Sequence, residues 1–157
     1  MDLTNMKSLT LGGVPLKQLL VNGVQVWAEA KENLFNGKFS NKTLNGVTFS
    51  WDDENKILTL NGTATAAISS YAIYGTTDLS LPVGTYKWEV NTVGGSYTYE
   101  TYTWFRFGNT SSGTTKYMVN LDTPKTVTQT VEVNAFAPRI TAGTVFNNLQ
   151  LQIIVTQ

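Results

Sequence analysis

The stretch GTYKWEV, Gly84 to Val90, alternates between large apolar and charged side chains. Successive residues of an extended strand point to opposite faces, so Tyr86, Trp88 and Val90 share one face and Lys87, Glu89 and the following Asn91 share the other. That division predicts a half-buried β-strand.

The same texture extends in both directions, through GVTFSW (46–51), KILTLNGTATA (56–66), TVTQTVEVN (126–134) and NLQLQIIVT (148–156), each bounded by turn-forming residues. Short Thr-rich, β-branched runs at this spacing, with no convincing helical pattern, predict an all-β antiparallel sandwich or jelly roll. Alternation also nominates the core: Val47 and Phe49, Ile57 or Leu58 with Leu60, Tyr86 with Trp88 and Val90, and Leu149, Leu151, Ile153 and Val155.

Composition bounds the chemistry. The 157 residues, 41% hydrophobic and 14% charged, suit one ordinary domain, alone or with a small appendage. Eleven basic and eleven acidic residues leave a formal net charge of zero, so nothing draws the chain to nucleic acid or to an anionic membrane. Without Cys or His it has no thiolate or imidazole metal site, no Cys or Ser–His catalytic system and no disulfide framework. The expectation is a protein that binds and does not catalyse, with no cofactor and no metal.

The N-terminal piece reads differently. Short apolar runs meet at Gly12-Gly13 and again at Asn22-Gly23, both suited to tight hairpin turns, which predicts a three-stranded meander from about Lys7 to Trp27. AEAKEN (28–33) follows as a linker or a single helical turn. The first twenty residues lack the basic and apolar regions of a secretory signal, and no later run reaches the length of a membrane span, so the expectation is a chain that its own sequence does not export.

From Asn33 to Gln157, through NLFNG, GVTFSWDDENKILTLNGTATA, LPVGTYKWEV and ITAGTVFNNLQLQI, the chain resembles the carbohydrate-binding-module-like jelly rolls of phage and prophage virion proteins. KSLTLGGVPLKQLLVNGVQVW (7–27) is similar to the short leader, GG…VNG…VW, that precedes such modules in phage tail, baseplate and head-fibre proteins. The resemblance implies a virion location after assembly in the host cytoplasm, a jelly-roll sandwich over 33–157, and attachment through 1–32 to a capsid, tail or baseplate partner or to another copy of the chain. A host-surface polysaccharide is expected as a partner on other grounds, the aromatic residues of 96–113.

SYTYETYTWFRFGNTSSG (96–113) is the aromatic-rich part of the chain. Read as one regular strand, it places Tyr97, Tyr99, Phe105 and Phe107 on a core face and Glu100, Tyr102, Trp104 and Arg106 on the other. Sugar rings lie flat on aromatic faces while charged and amide groups reach their hydroxyls. If this strand pairs with Tyr86–Asn91, then Lys87, Glu89, Asn91, Glu100, Tyr102, Trp104 and Arg106 line one shallow glycan groove. A bulge after Glu100 would return Trp104 to the core, and exposed aromatics beside Arg are equally the signature of a subunit contact. The competing expectation is therefore a purely structural capsid or tail decoration or fibre protein, oligomeric through these residues.

The remaining motifs read as turns. WDDEN (51–55) suits a hairpin turn better than a Ca²⁺ site, since its acids alternate sides. Tyr71, Tyr74 and Tyr117 read as strand residues beside turns. Glu89 and Glu100 are the one carboxylate pair to nominate for glycoside hydrolysis, without further support. Gly94-Gly95 precedes no helix or Lys and is no phosphate loop.

Overall fold

The computed structural model describes residues 9–11, 14–16, 18–21, 24–28, 31–68, 79–98, 104–109 and 114–157, with the backbone alone described in the N-terminal strands, at Trp104 and over 114–118. All regular structure among these residues is β, in thirteen strands. The chain divides into two compact units, Met1–Glu32 and Asn33–Gln157.

The first unit holds two separate hairpins. Strand β1 (Leu9–Leu11) pairs with β2 (Val14–Leu16), and β3 (Gln18–Val21) pairs with β4 (Val24–Ala28). The registers Leu11↔Val14 and Val21↔Val24 close each hairpin over the two residues expected to form its turn. The expected three-stranded meander is corrected, because VPLKQLLV is divided between two sheets. Pro15 supplies a reason. In a hairpin closed over two residues, the pair after the first (here Thr10↔Pro15) directs its N–H groups away from the partner strand, and proline has none to offer a third strand. Lys31 to Asn33 have no regular structure, so no helical turn follows Ala28 among the described residues.

The second unit is an antiparallel sandwich. Its larger sheet has the order β11 (Lys125–Gln129), β8 (Gly84–Thr98), β13 (Val145–Thr156), β7 (Ile57–Thr63), β6 (Val47–Asp52), β5 (Lys42–Leu44). Its smaller sheet is β10 (Thr114–Asn120), β9 (Trp104–Asn109), β12 (Ala135–Arg139). Isolated bridges, Ile68 to Ile140 and Leu81 to Val133, flank β12 at its two ends. After β8 the chain passes between the sheets four times, so long-range pairing and not local hairpins holds the layers together.

The two inner faces meet in an aromatic stack. Trp88 of β8 lies on Phe107 of β9 with centroids 4.0 Å apart and on Phe136 of β12 at 5.5 Å, and Phe136 in turn stacks on Phe105 at 5.0 Å. Leu58, Leu60, Leu149, Leu151, Ile153 and Val155 complete the layer, all at 0% exposure; Leu58, not Ile57, takes the inward position. The Trp88 indole is satisfied inside this apolar layer: with the amide of fully buried Gln129 assigned by its neighbours' donors and acceptors, that amide accepts from Trp88 Nε1 at 2.9 Å and donates to the Pro82 carbonyl at 3.3 Å. A buried polar side chain is tolerated because both halves of its amide are paired.

Tight turns and two local ties set the register. Asn45 (φ 47°) and Gly46 (φ 81°) form the two-residue turn from β5 to β6, the left-handed pair that twisted hairpins prefer. Asn33 fixes the start of the unit, donating to the Ile153 carbonyl at 2.8 Å while its side-chain oxygen accepts from Val155 N (2.9 Å) and Phe35 N (3.1 Å). That tie seats Phe35 against Trp88 and Phe136. Asp122 joins the β10–β11 connection to β8, accepting from Thr92 N at 2.7 Å and Thr92 Oγ1 at 2.9 Å.

Candidate functional site

The residues expected to form one groove are divided by the fold. β8 continues through Gly94 and Gly95 to Thr98, paired with β13 as far as Thr98↔Val145, whereas Trp104 opens β9 in the other sheet. The run 96–113 is thus not one strand, and β9 pairs with β10 and β12, not with β8. Because Trp88 and Phe107 meet across the interior, the opposite sides of their strands face away from each other. Lys87, Glu89 and Asn91 stand on the outer face of the six-stranded sheet, while Arg106, between inward Phe105 and Phe107, belongs to the outer side of the three-stranded sheet. The single groove is corrected on this ground.

Glu100 and Tyr102 lie outside the described residues, as do Tyr71, Tyr74 and Tyr99, and the side chain of Trp104 is likewise not described. The backbone of Trp104 sits opposite Arg139 of β12 and Asn120 of β10. Arg106 is half-buried, and its cross-strand partner Ala137 and the neighbouring Ala135 are fully buried although they share its outward side. The β12 positions beside Arg106 are therefore covered. Tyr97 is half-buried at the end of β8 and packs on the core, the side assigned to it from alternation.

Exposed Lys87 and half-buried Glu89 are held together at 3.0 Å. The proposed partner carboxylate of Glu89, Glu100, lies outside the described residues, and Glu89 itself is engaged by Lys87.

WDDEN forms the β6–β7 turn. The Asp52 carboxylate accepts from Asn55 Nδ2 (2.7 Å), Asn55 N and Glu54 N (both 3.0 Å), and Asp53 pairs with Lys56 at 2.8 Å and Lys38 at 2.9 Å. The Asn55 side-chain bond, then the backbone bonds, hold the Asp52 carboxyl below its ordinary value; hydrogen bonds from Lys56 and Lys38 hold Asp53 lower still. These oxygens already serve the turn, and among the described residues no group of three or more acidic, His or Cys side chains is placed to hold a metal ion.

What sequence reading passed over is the rest of the outer face that carries Lys87, Glu89 and Asn91. Across β6, β7 and β13, Ser50 stands opposite Thr59 and Thr59 opposite Gln150; one step along, Ile57 stands opposite Gln152 and Gln152 opposite Asn91 of β8. The signal was present in NLQLQIIVT, since placing Leu149 and Leu151 inward leaves Gln150 and Gln152 outward. Gly94 adjoins Gln150 in register and leaves room for it: a Cβ at position 94 would lie 2.6 Å from Gln150 Oε1. No outward position of the described strands in this sheet is aromatic. No protein family, curated protein or solved structure matches the chain.

Proposed function

We propose that this chain is a non-enzymatic phage virion component that attaches through residues 1–32 and displays the sandwich 33–157 toward host-surface glycans. The observation that carries the reading is the division of the chain into a 32-residue unit of two-stranded hairpins and a closed 125-residue sandwich (157 less 32). Two-stranded sheets are marginal in water by themselves, so the small unit has reason to take a partner surface, whereas the sandwich buries its own core. Many copies on one particle would raise avidity by orders of magnitude, so a shallow site on each suffices.

The test is cosedimentation of the full chain with insoluble bacterial cell-wall preparations, with reducing-sugar release assayed in the same tubes. Saturable binding without sugar release is expected. Absence of binding to every wall preparation, together with a discrete oligomer on sizing at micromolar concentration, would replace this reading with that of a purely structural decoration or fibre protein. Release of sugar would make it an enzyme.

A further inference from the structure

Three Asn-Gly pairs lie among the described residues, at 36–37, 45–46 and 61–62. In such a pair the backbone N of the glycine can attack the Asn side-chain carbonyl carbon. The N–Cγ bond forms, the Cγ–Nδ2 bond breaks, the glycine N–H proton passes through water to the departing nitrogen, and ammonia leaves a cyclic succinimide. Water then opens the ring at either carbonyl, giving aspartate or its β-linked isomer, isoaspartate. Glycine favours the attack because it has no Cβ to shield its N and turns freely about its backbone. The fold decides which pair can reach that geometry.

Asn45 and Asn61 are held in place. Asn45 Nδ2 donates to the Ala67 carbonyl at 3.1 Å, and its turn is closed by the Leu44↔Val47 pair. Asn61 lies inside β7 opposite Thr48, its Oδ1 accepts from Asn148 N at 3.2 Å, and Gly62 is paired with both Val47 and Phe146. Asn61 is exposed, as Asn36 is, so exposure alone does not separate the two. Asn36 differs in its freedom. It belongs to residues 31–38, which have no regular structure, and among the described residues neither its side-chain amide nor Gly37 N has a hydrogen-bond partner. The packing also requires the reactive pair: a Cβ at position 37 would lie 2.7 Å from the Phe35 ring, so glycine is what fits there.

We propose that Asn36-Gly37 is a site of spontaneous modification, at which Asn36 converts to aspartate and isoaspartate while Asn45 and Asn61 persist. The position matters to the core. Phe35 and Phe39, on either side of the pair, are buried and stack on each other at 6.3 Å; Phe35 packs on Phe136 at 5.5 Å and Phe39 on Trp51 at 5.1 Å. Isoaspartate adds a carbon to the main chain between those two rings, and a close-packed interior accommodates it only by moving one of them. Aspartate adds only charge, at an exposed position.

The experiment ages the full-length protein in warm, mildly alkaline buffer and follows the peptide that carries each Asn-Gly pair by mass spectrometry, with the aspartate and isoaspartate products separated by chromatography. Asn36 should convert at least about tenfold faster than Asn45 or Asn61, because each of those must first break the hydrogen bonds that hold it. In urea the three rates should converge, since unfolding leaves the same Asn-Gly chemistry at each. Asn36→Gln, whose longer side chain closes the ring far more slowly, should lose the early acidic species. The isoaspartate form should unfold at lower urea than Asn36→Asp, and Asn36→Asp should match the wild type. Equal rates at Asn36 and at either other pair in the folded chain, or an Asn36 that stays intact until urea is added, would overturn the proposal. An isoaspartate form as stable as Asn36→Asp would overturn its link to the core.

Discussion

The two faces of the six-stranded sheet come from the same strands and obey opposite rules. Inward from β8 and β13 stand Trp88, Val90, Leu151 and Ile153, each at 0% exposure and packed to a common geometry. Outward from the same strands stand Glu89, Asn91, Gln152 and Ile154, none of them needed to exclude water from the core. Alternation therefore lets one set of residues specify the fold and leaves its neighbours free for surface chemistry. This independence can be tested by substitution on either face.

Trp88→Ala should have the largest effect. It removes the ring that joins Phe107 to Phe136 and strands the Gln129 amide, and a loss of about 3–5 kcal/mol is expected for such a truncation. Urea unfolding followed by far-UV circular dichroism measures it. Gly95→Ala comes next: Gly95 has φ 70°, and a Cβ there would fall 2.0 Å from the Asn148 carbonyl oxygen. Strain and displacement of the β8–β13 pairing should cost up to about 3 kcal/mol, read as a lower urea midpoint. Asn33→Ala deprives Val155 N, Phe35 N and the Ile153 carbonyl of their partner, for a loss of about 1–2 kcal/mol in the same assay.

How much of this was legible depended on whether the controlling interaction was local. The inward sets were legible because period-two alternation is a property of the chain itself: Val47, Phe49, Tyr86, Trp88, Leu149 and Leu151 are buried as alternation assigns them. The change of sheet between Thr98 and Trp104 was not, since YETYT carries no Gly, Pro or Asn to mark it and strand partners are chosen by distant residues. Gly94-Gly95 would ordinarily read as a break, yet β8 runs on through it, because β13 takes up an extra residue between Asn147 and Gln150 and β8 takes up one at Val93, so the pairing resumes on either side. Phe136 was missed for a different reason. AFAPR is buried on both faces, so it shows no alternation to read.

Acid should weaken the β6–β7 turn in a defined direction. Asp52 and Asp53 are held below their ordinary values in the folded chain, so their contribution is complete above the unfolded value, about 3.9, and is lost as pH falls through the lower folded values. Urea midpoints should be level from neutral pH to about pH 5 and decline below about pH 4. In Asp52→Ala that decline should be shallower. The smallest effect is expected outside: Gln150→Ala/Gln152→Ala should shift stability by no more than about 0.5 kcal/mol, because both side chains lie on the outer face.

The most direct measurement is a paired one, in which Trp88→Ala and Gln150→Ala/Gln152→Ala are each assayed for urea unfolding. The account predicts that the first loses several kcal/mol of stability while the second stays within about 0.5 kcal/mol of the wild type. A double variant as unstable as Trp88→Ala would contradict the separation of the two faces.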